Sequence, residues 1–211
     1  MKIGFKILLL IFLTSTAGLL AGHGAIVKLA NGSLDFLKPE TQVNLEYVYD
    51  GMMVRGKDKA VRPEEDFVAS KVAEYNAQVA GRGDEWRKGW ISERNDRYQP
   101  RFSELLNQTL TARKSNLQFG FFKDRRYTLI LKTTYTELGW KFSDVIKHSF
   151  MINAQAIFVE TQNRTNVLAV LSITKAPGNG TGSDFNSRIG LAEAYAKAGK
   201  ELGIIIAKDL K

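Results

Sequence analysis

The amino-acid sequence predicts an α+β domain: a two-layer sandwich in which helices pack on a single, mostly antiparallel sheet of about five strands. Three observations predict this class. One period-two segment precedes two helical segments, four more period-two segments follow in series, and a long helical segment ends the chain. Strands that cluster along the chain, with helices on either side, are typical of α+β proteins, whereas alternating strands and helices indicate a parallel sheet.

The first strand and the first helix lie within residues 43–83. The stretch VNLEYVYDG alternates apolar and polar side chains, which indicates a strand that ends in a turn. The helical stretch begins with Pro63 and three acids, a composition that favours a helix N-terminus. The tripeptide Arg82-Gly83-Asp84 is interpreted as a turn in which Asp84 caps the next helix.

The second helical segment, residues 84–113, contains a break. Pro100 removes a backbone hydrogen bond, so we expect the helix to kink or end near that residue. Beyond the break, Phe102, Leu106 and Leu110 recur every four residues and form one apolar stripe. This stripe predicts that the second half of the segment packs on the sheet or on another helix.

The remaining strands and the last helix occupy the C-terminal half. Period-two segments occur at residues 117–122, 126–137, 149–161 and 167–174. The short polar link QNRTN joins the last two and predicts an antiparallel hairpin. In the final helix, residues 184–211, a ridge of small residues is formed by Ala192, Ala196, Gly199 and Gly203. We expect this ridge to pack against the sheet.

The chain begins with a predicted secretory leader. Lys2 and Lys6 precede an apolar run that small residues follow, which is the pattern of a cleaved signal peptide. We expect the signal peptide to span residues 1–21, with cleavage between 17 and 25, and residues 22–211 to form one domain. Cysteine is absent, so there is no lipidated cysteine. The protein is predicted to be exported, periplasmic or extracellular, soluble and not lipid-anchored.

The chain is basic, with 30 Lys and Arg residues against 22 Asp and Glu residues and a formal charge of +8. Basic surfaces attract anionic partners loosely, so the expected partner is a protein or an anionic envelope component. The same charge also serves solubility alone. No nucleic-acid-binding motif is found, so no specific nucleic acid is expected. No segment after the leader is expected to cross a membrane, and the oligomeric state stays open.

Several motifs resemble those of a known family. The motifs NGSLDFLKPE, GRGDEW, YTLILKTTYTE and RIGLAEAYAKAGKELG make nearly the whole mature chain similar to uncharacterised exported proteins of Bacteroides-type bacteria. A fainter likeness covers the tail. There, FVETQN, a second strand, a glycine loop and the last helix are similar to periplasmic lipoprotein domains related to the curli secretion channel and the Tol translocation protein. The first resemblance implies no catalytic motif, and the second implies the fold more than a function.

Few residues suit catalysis, metal binding or cofactor binding. His148 is the one histidine beyond the leader region, and no nucleophile motif accompanies it, so we interpret it as a surface residue. Without cysteines or clustered histidines, no zinc site is expected. The glycine run APGNGTGSD fits neither the phosphate-binding nor the dinucleotide-binding motif and is interpreted as a strand-to-helix connection. We therefore expect no catalytic residue, no metal and no cofactor.

The most suggestive surface surrounds the two neighbouring tryptophans of the second helical segment. The candidate binding residues are Trp86, Trp90, Arg94, Arg97 and Arg101. Aromatic and basic side chains together can stack on an anionic ligand and pair with it, although tryptophans also anchor cores and Glu93 can pair with Arg97. The favoured function is a non-enzymatic exported domain that binds a protein or envelope component. The alternative is a carboxylate-dependent hydrolase of envelope glycan, whose paired acids can lie far apart in sequence.

Overall fold

The computed structural model describes residues 25–141, 147–178 and 184–211. The predicted signal peptide, residues 1–21, lies outside the described residues, so export stays a prediction. Gly180 and Gly182 of the glycine run lie outside them as well.

The chain forms ten strands and four α-helices in the described ranges. The strands are β1 (Ile26–Gly32), β2 (Gln42–Val48), β3 (Met53–Arg55), β4 (Val61–Pro63), β5 (Gln118–Gly120), β6 (Tyr127–Glu137), β7 (Trp140–Lys141), β8 (Lys147–His148), β9 (Phe150–Glu160) and β10 (Val167–Gly178). The helices are α1 (Glu64–Gln78), α2 (Arg82–Glu93), α3 (Gln99–Ala112) and α4 (Asp184–Asp209). A π-helical turn, Arg94–Tyr98, joins α2 to α3, so the two helices form one run broken near Pro100, as the sequence predicts.

Eight of the strands form one mixed sheet. Its order is β1-β10-β9-β6-β2-β5, and β3 lies beside β6 with β4 outside it. The pairs β1–β10, β10–β9 and β9–β6 are antiparallel, whereas β2 runs parallel to both β6 and β5, and β3 runs parallel to β6. Strands β7 and β8 form a separate antiparallel ladder.

The prediction of a mostly antiparallel sheet of about five strands is therefore wrong, although the α+β class and the long C-terminal helix are confirmed. The helical segments α1 to α3 separate β2 from β5 and β6 along the chain. A connection of that kind is a crossover, and it returns the chain parallel to the strand it left. Strands β3 and β4 have three residues each, too few to establish a period-two pattern.

Helices cover one face of the sheet. Along β9, alternate side chains are buried against them, whereas Gln155 on the opposite face is exposed. The apolar stripe of α3, formed by Phe102, Leu106 and Leu110, is fully buried. The predicted stripe is therefore part of the core between the sheet and the helical layer.

The small-residue ridge of α4 packs against α3 rather than against the sheet, which corrects the expectation from the sequence. A Cβ on Gly199 would lie 2.2 Å from the carbonyl oxygen of Phe102, and a Cβ on Gly203 would lie 3.0 Å from that of Leu106. The glycines thus allow two helix backbones to approach closely.

The first glycine of the glycine run has a packing role. Strand β10 continues through Pro177 to Gly178, which pairs with Phe150 of β9. A Cβ on Gly178 would lie 1.8 Å from the carbonyl oxygen of Gly190. The strand end and the first turns of α4 therefore touch through their backbones, which only glycine permits.

The Arg82–Asp84 tripeptide forms the first turn of α2, so the prediction that Asp84 is its N-cap is wrong. The N-cap is Gly81, whose φ is +81°. A Cβ on Gly83 would lie 2.2 Å from the carbonyl oxygen of Val72, and Asn76 accepts a hydrogen bond from the Gly83 amide at 2.7 Å. The tripeptide is explained by the close packing of α1 on α2.

Candidate functional site

The two tryptophans of the predicted binding surface lie in an aromatic cluster between α1 and α2. The rings of Trp86 and Trp90 stack with centroids 5.6 Å apart. Phe67 lies 5.5 Å from Trp90, and Tyr75 lies 5.8 Å from Trp86. The indoles are half-buried and contact the core, so they contribute to the packing of one helix on the other.

The first arginine of that surface points into the protein. The Arg94 guanidinium forms a bidentate ion pair with Glu64, and both side chains are mostly buried. It also lies 4.1 Å from the ring centre of Tyr49, while the Trp90 indole donates to Glu64 at 2.6 Å. These contacts tie the π-helical turn to the start of α1.

The other two arginines are ion-paired as well. Arg97 lies 2.9 Å from Glu93, and Arg101 lies 2.8 Å from Glu104 and 3.2 Å from Glu193 of α4. The structure thus does not bring the five predicted residues together as one cationic surface. A binding role for them stays a prediction, and each of the three arginines would have to leave a carboxylate to meet a ligand.

A small cavity lies beside the tryptophans. Its walls include Trp86, Trp90, Glu93, Tyr98 and Arg188, and its volume is about 30 Å³. Small-molecule pockets have volumes of roughly 300–1,000 Å³, which is at least about ten times larger. Glu93 is 5% exposed and pairs with Arg97 and Arg188. This cavity is a gap in the packing with room for about one water molecule.

A much larger depression, the edge groove, opens between the sheet edge and the start of α3. Its volume is about 590 Å³. The residues that line it are Leu45, Glu46 and Tyr47 of β2, Asn95 of the π-helical turn, Gln99, Pro100 and Ser103 of α3, and Gly120 and Phe121. It lies on the same helical run as the predicted residues but on a different face.

The edge groove exists because β5 is short. Strand β5 pairs with Gln42–Asn44 only. It then turns away as the Phe122 amide donates to the Asn44 side chain at 3.1 Å. Among the described residues, no strand pairs with the outer edge of residues 45–48, since β4 lies farther along, beside β3.

The wall and floor of the edge groove are held rigidly. The Tyr47 hydroxyl donates to the carbonyl oxygen of Gln99 at 2.9 Å, and its ring meets Phe102 edge-on at 6.0 Å. Burial raises the pKa of Tyr47, so the phenol stays a protonated donor across the physiological range. The hydrogen bond ties β2 to the first turn of α3 and fixes the width of the groove.

The surface of the edge groove is mainly apolar and nearly uncharged. Phe121 is 75% exposed, the largest exposure among the exposed large apolar side chains of the described residues. Among the described residues that line the groove, Glu46 alone is charged, and Arg164 holds it through two hydrogen bonds of 2.8 Å. The arrangement suits a ligand that offers apolar groups and neutral hydrogen-bonding groups.

His148 lies beside a buried acid. Glu137 is 2% exposed and accepts a hydrogen bond from the Tyr135 hydroxyl at 3.2 Å. Arg55 lies 3.3 Å from it, and the Nδ1 atom of His148 lies 3.2 Å from it. The His148 side chain is 47% exposed, which agrees with its interpretation as a surface residue. The contact holds the β7–β8 ladder against the end of β6.

The described residues offer neither a metal-ligand cluster nor a membrane-spanning helix. Within residues 25–141, 147–178 and 184–211, no group of three or more His, Asp or Glu side chains is placed to hold a metal ion. In the same ranges, no helix has both the length and the apolar character needed to cross a membrane.

Comparisons with known proteins add little. No family model and no curated protein matches the chain. Two structures of the PelC dodecamer from Paraburkholderia phytofirmans are similar to it, one of them a point variant. The match to the variant has 10% sequence identity and covers 83% of this chain and 99% of the variant's chain. The match to the other structure has 9% sequence identity and covers 82% of this chain and 96% of that structure's chain. Both have a TM-score of 0.33, which is too low to carry an argument.

The edge groove was missed by the sequence analysis. Leu45 and Tyr47 fit the alternation of an ordinary strand, and Phe121 falls within the predicted strand 117–122. The sequence feature that could have indicated the groove is Gly120, which interrupts the predicted strand and is followed by two phenylalanines. A strand too short to cover its neighbour leaves an edge open, and exposed aromatic side chains mark such places.

Proposed function

We propose that this protein is an exported, non-enzymatic domain that binds a protein or another envelope component in the edge groove. The observation that carries the proposal is an apolar depression of about 590 Å³ at an unpaired part of the sheet edge. Its volume lies in the range of ligand-binding pockets. Export rests on the leader sequence, and the choice of partner rests on the basic composition and the apolar lining.

The chemistry of the edge groove favours binding over catalysis. General acid–base catalysis needs titratable groups that can exchange protons near neutral pH. The lining residues include one carboxylate, Glu46, and Arg164 lowers its pKa by hydrogen bonding, which keeps it ionised. The Tyr47 phenol has a raised pKa and stays protonated. Neither group is suited to move a proton.

A photo-crosslinking experiment in the producing cell tests the proposal. Phe121 is replaced by a photoreactive phenylalanine analogue, and the same analogue at Ile91, exposed on α2, is the matched control. We expect discrete crosslinked adducts with an envelope component when the analogue is at position 121. The same adducts should be absent when it is at position 91. Ser103→Trp, which fills the edge groove, should remove them. Equal adduct patterns at both positions would overturn the proposal.

The hydrolase alternative has its own readout. The two most buried acids of the described residues, Glu93 and Glu137, are its natural candidates. If the purified protein releases fragments from isolated envelope glycan, and Glu93→Gln or Glu137→Gln abolishes that release, the alternative replaces the binding function. Retention of folding by both variants, checked by circular dichroism, separates loss of chemistry from loss of structure.

A further inference from the structure

We infer that the occupant of the edge groove is an extended polypeptide segment that adds to the free edge of β2 as a further strand. The inference rests on the proposed function, because it names the partner of the same groove. Extended peptides bind open sheet edges through main-chain hydrogen bonds, and pockets for alternate side chains give specificity.

The position for such a strand is already defined by β5. In the register of the β2–β5 pair, Val43 lies opposite Phe119 and Asn44 lies opposite Gly120. The chain leaves this line at Phe121, whereas β2 continues along β6 to Val48. A peptide in the edge groove therefore lies in line with β5 and continues an existing ladder.

The length of the free edge limits the peptide. The unpaired part of β2 covers residues 45–48, with β5 at one end and the β3–β4 hairpin beyond the other. Four residues of a strand span about 13 Å at roughly 3.3 Å per residue. The groove thus accepts a segment of about four to six residues, which is shorter than a typical helix and suits a linker or a chain terminus.

The walls specify the side chains of the peptide. Alternate side chains of a strand point to the same side, and on one side they would meet Tyr47, Pro100 and Phe121. The Glu46 carboxylate is neutralised by Arg164, so the lining offers no unmatched charge. The complementary segment has uncharged, apolar residues at every second position.

The groove lacks features that other classes of ligand would need. A nucleic acid or an acidic glycan needs cationic contacts, and none of the described lining residues is Lys or Arg. The two cations beside the lining are already engaged: Arg164 pairs with Glu46, and Lys123 lies over the Phe121 ring at 4.6 Å. A lipid chain would use the apolar wall but would leave the N–H and C=O groups of the β2 edge unsatisfied in a desolvated groove. A peptide backbone satisfies both the edge and the wall.

Selection of peptides tests the inference. Random hexapeptides displayed on phage are selected against the purified, exported protein, and the best binder is synthesised with single N-methyl groups. We expect apolar residues at alternate positions of the binder. N-methylation at alternate residues should weaken binding about fivefold, since a hydrogen bond contributes about 1 kcal/mol, and at the intervening residues it should change little. Amide exchange of Leu45 and Tyr47, whose main-chain groups face the same side of β2 as the Thr41 carbonyl that bonds to β5, should slow in the complex.

Matched variants assign the binding to the groove. Ser103→Trp and Phe121→Asp should each reduce binding at least tenfold, whereas Ile91→Trp should not. The two groove variants act by different means, filling and loss of apolar contact, so a folding defect in one leaves the other informative. Urea unfolding of each variant provides the check.

The possible results of these experiments distinguish a failure of strand addition from a failure of the binding function on which it rests. If peptides bind but N-methylation acts equally at all positions and the amide exchange of Leu45 and Tyr47 does not slow, strand addition is wrong and the binding groove stands. If envelope glycan or phosphatidylglycerol vesicles bind in a manner sensitive to Ser103→Trp and peptides do not, the same conclusion follows. If no probe binds and position 121 gives no specific crosslinks, both proposals fail.

Discussion

Two unpaired stretches of the sheet, the outer side of β1 and residues 45–48 of β2, differ in how they are protected. Strand β1 exposes its outer side over seven residues, but a bulge between Leu29 and Asn31 interrupts its register and Lys28 adds a charge. Bulges and lysines are devices by which natural edge strands discourage pairing. The free part of β2 has neither, and it is recessed beneath α3 and Phe121. One edge is protected by its own residues, whereas the other is left open but shielded by its surroundings.

The difference indicates that the two edges serve different purposes. An unprotected edge is a liability unless access to it is limited. The walls of the edge groove limit access to a single narrow segment, whereas the exposed β1 edge would accept another flat sheet if its bulge were removed. Four experiments, in order of expected effect, test this contrast.

The largest effect is expected at the end of β1. Gly32 has a φ of +81°, and a Cβ there would lie 1.9 Å from the carbonyl oxygen of Leu168. Gly32→Val should therefore lower the free energy of unfolding by about 3 kcal/mol, because it adds backbone strain and displaces β1 from β10. Urea unfolding measures the change. Gly51→Ala is the control: its φ is +73° but the space is open, so about 1 kcal/mol is expected. An equal decrease in the free energy of unfolding for Gly32→Val and Gly51→Ala would show that β1 tolerates displacement from β10.

The next effect concerns the wall of the edge groove. Glu64→Gln leaves the Arg94 charge without its carboxylate in a mostly buried position. The free energy of unfolding should fall by about 2 kcal/mol. Amide exchange in residues 94–98 should become faster, because this ion pair fixes the π-helical turn. Glu85→Gln, which breaks the exposed pair with Lys88, should leave both measurements unchanged. A normal exchange rate in Glu64→Gln would show that the wall is held by other contacts.

A smaller effect is expected from the charge on β1. Lys28→Val should promote self-association without a large change in stability, because it removes the charged residue that discourages edge pairing. Light scattering as a function of concentration measures this. Lys132→Val is the matched control, since Lys132 lies in the same cross-strand row, on the interior strand β6. If both variants self-associate equally, the added apolar area on the open face of the sheet explains the association, and the loss of charge at the β1 edge does not.

The smallest effect concerns Glu46 in the floor of the edge groove. Arg164 lowers the pKa of this carboxyl through hydrogen bonds. A lowered pKa in the folded state stabilises the protein above the pKa of the unfolded chain, and that stabilisation is lost as the pH falls through the folded pKa. The pair is partly exposed, so the contribution is at most about 0.5 kcal/mol. Glu46→Gln should therefore have a flatter stability profile below about pH 4.5 than the wild-type protein. Parallel profiles would contradict this.

The sequence predicted local structure better than the arrangement of the sheet. Strands β2, β6 and β9 show clear alternation, and each was predicted close to its observed bounds, whereas β10 runs four residues past its predicted end at 174, to Gly178. The prediction of a mostly antiparallel sheet missed the parallel pairs of β2, because strand pairing depends on the whole helical crossover. The packing partner of Gly199 was also wrong, because a ridge of small residues permits close approach to any backbone and does not specify which one.

The candidate site shows the same limit. The tryptophans and arginines of the second helical segment were conspicuous in the sequence, yet each arginine finds an acid that is distant in the chain or one turn away. The edge groove depends on where β5 stops, which is decided by a hydrogen bond from the Phe122 amide to Asn44, 78 residues earlier. Contacts of that range leave no pattern in a single sequence.

The π-helical turn has a consequence for the angular phase of the helical run. A wide turn of this kind accommodates one residue more than an α-helix, and one residue corresponds to about 100° of rotation. The aromatic side chains of α2 face α1, while in α3 the Phe102 ring meets Tyr47 of the sheet. Removal of a single residue between 94 and 98 would thus rotate α2 relative to α3. The edge groove lies where these two helices meet.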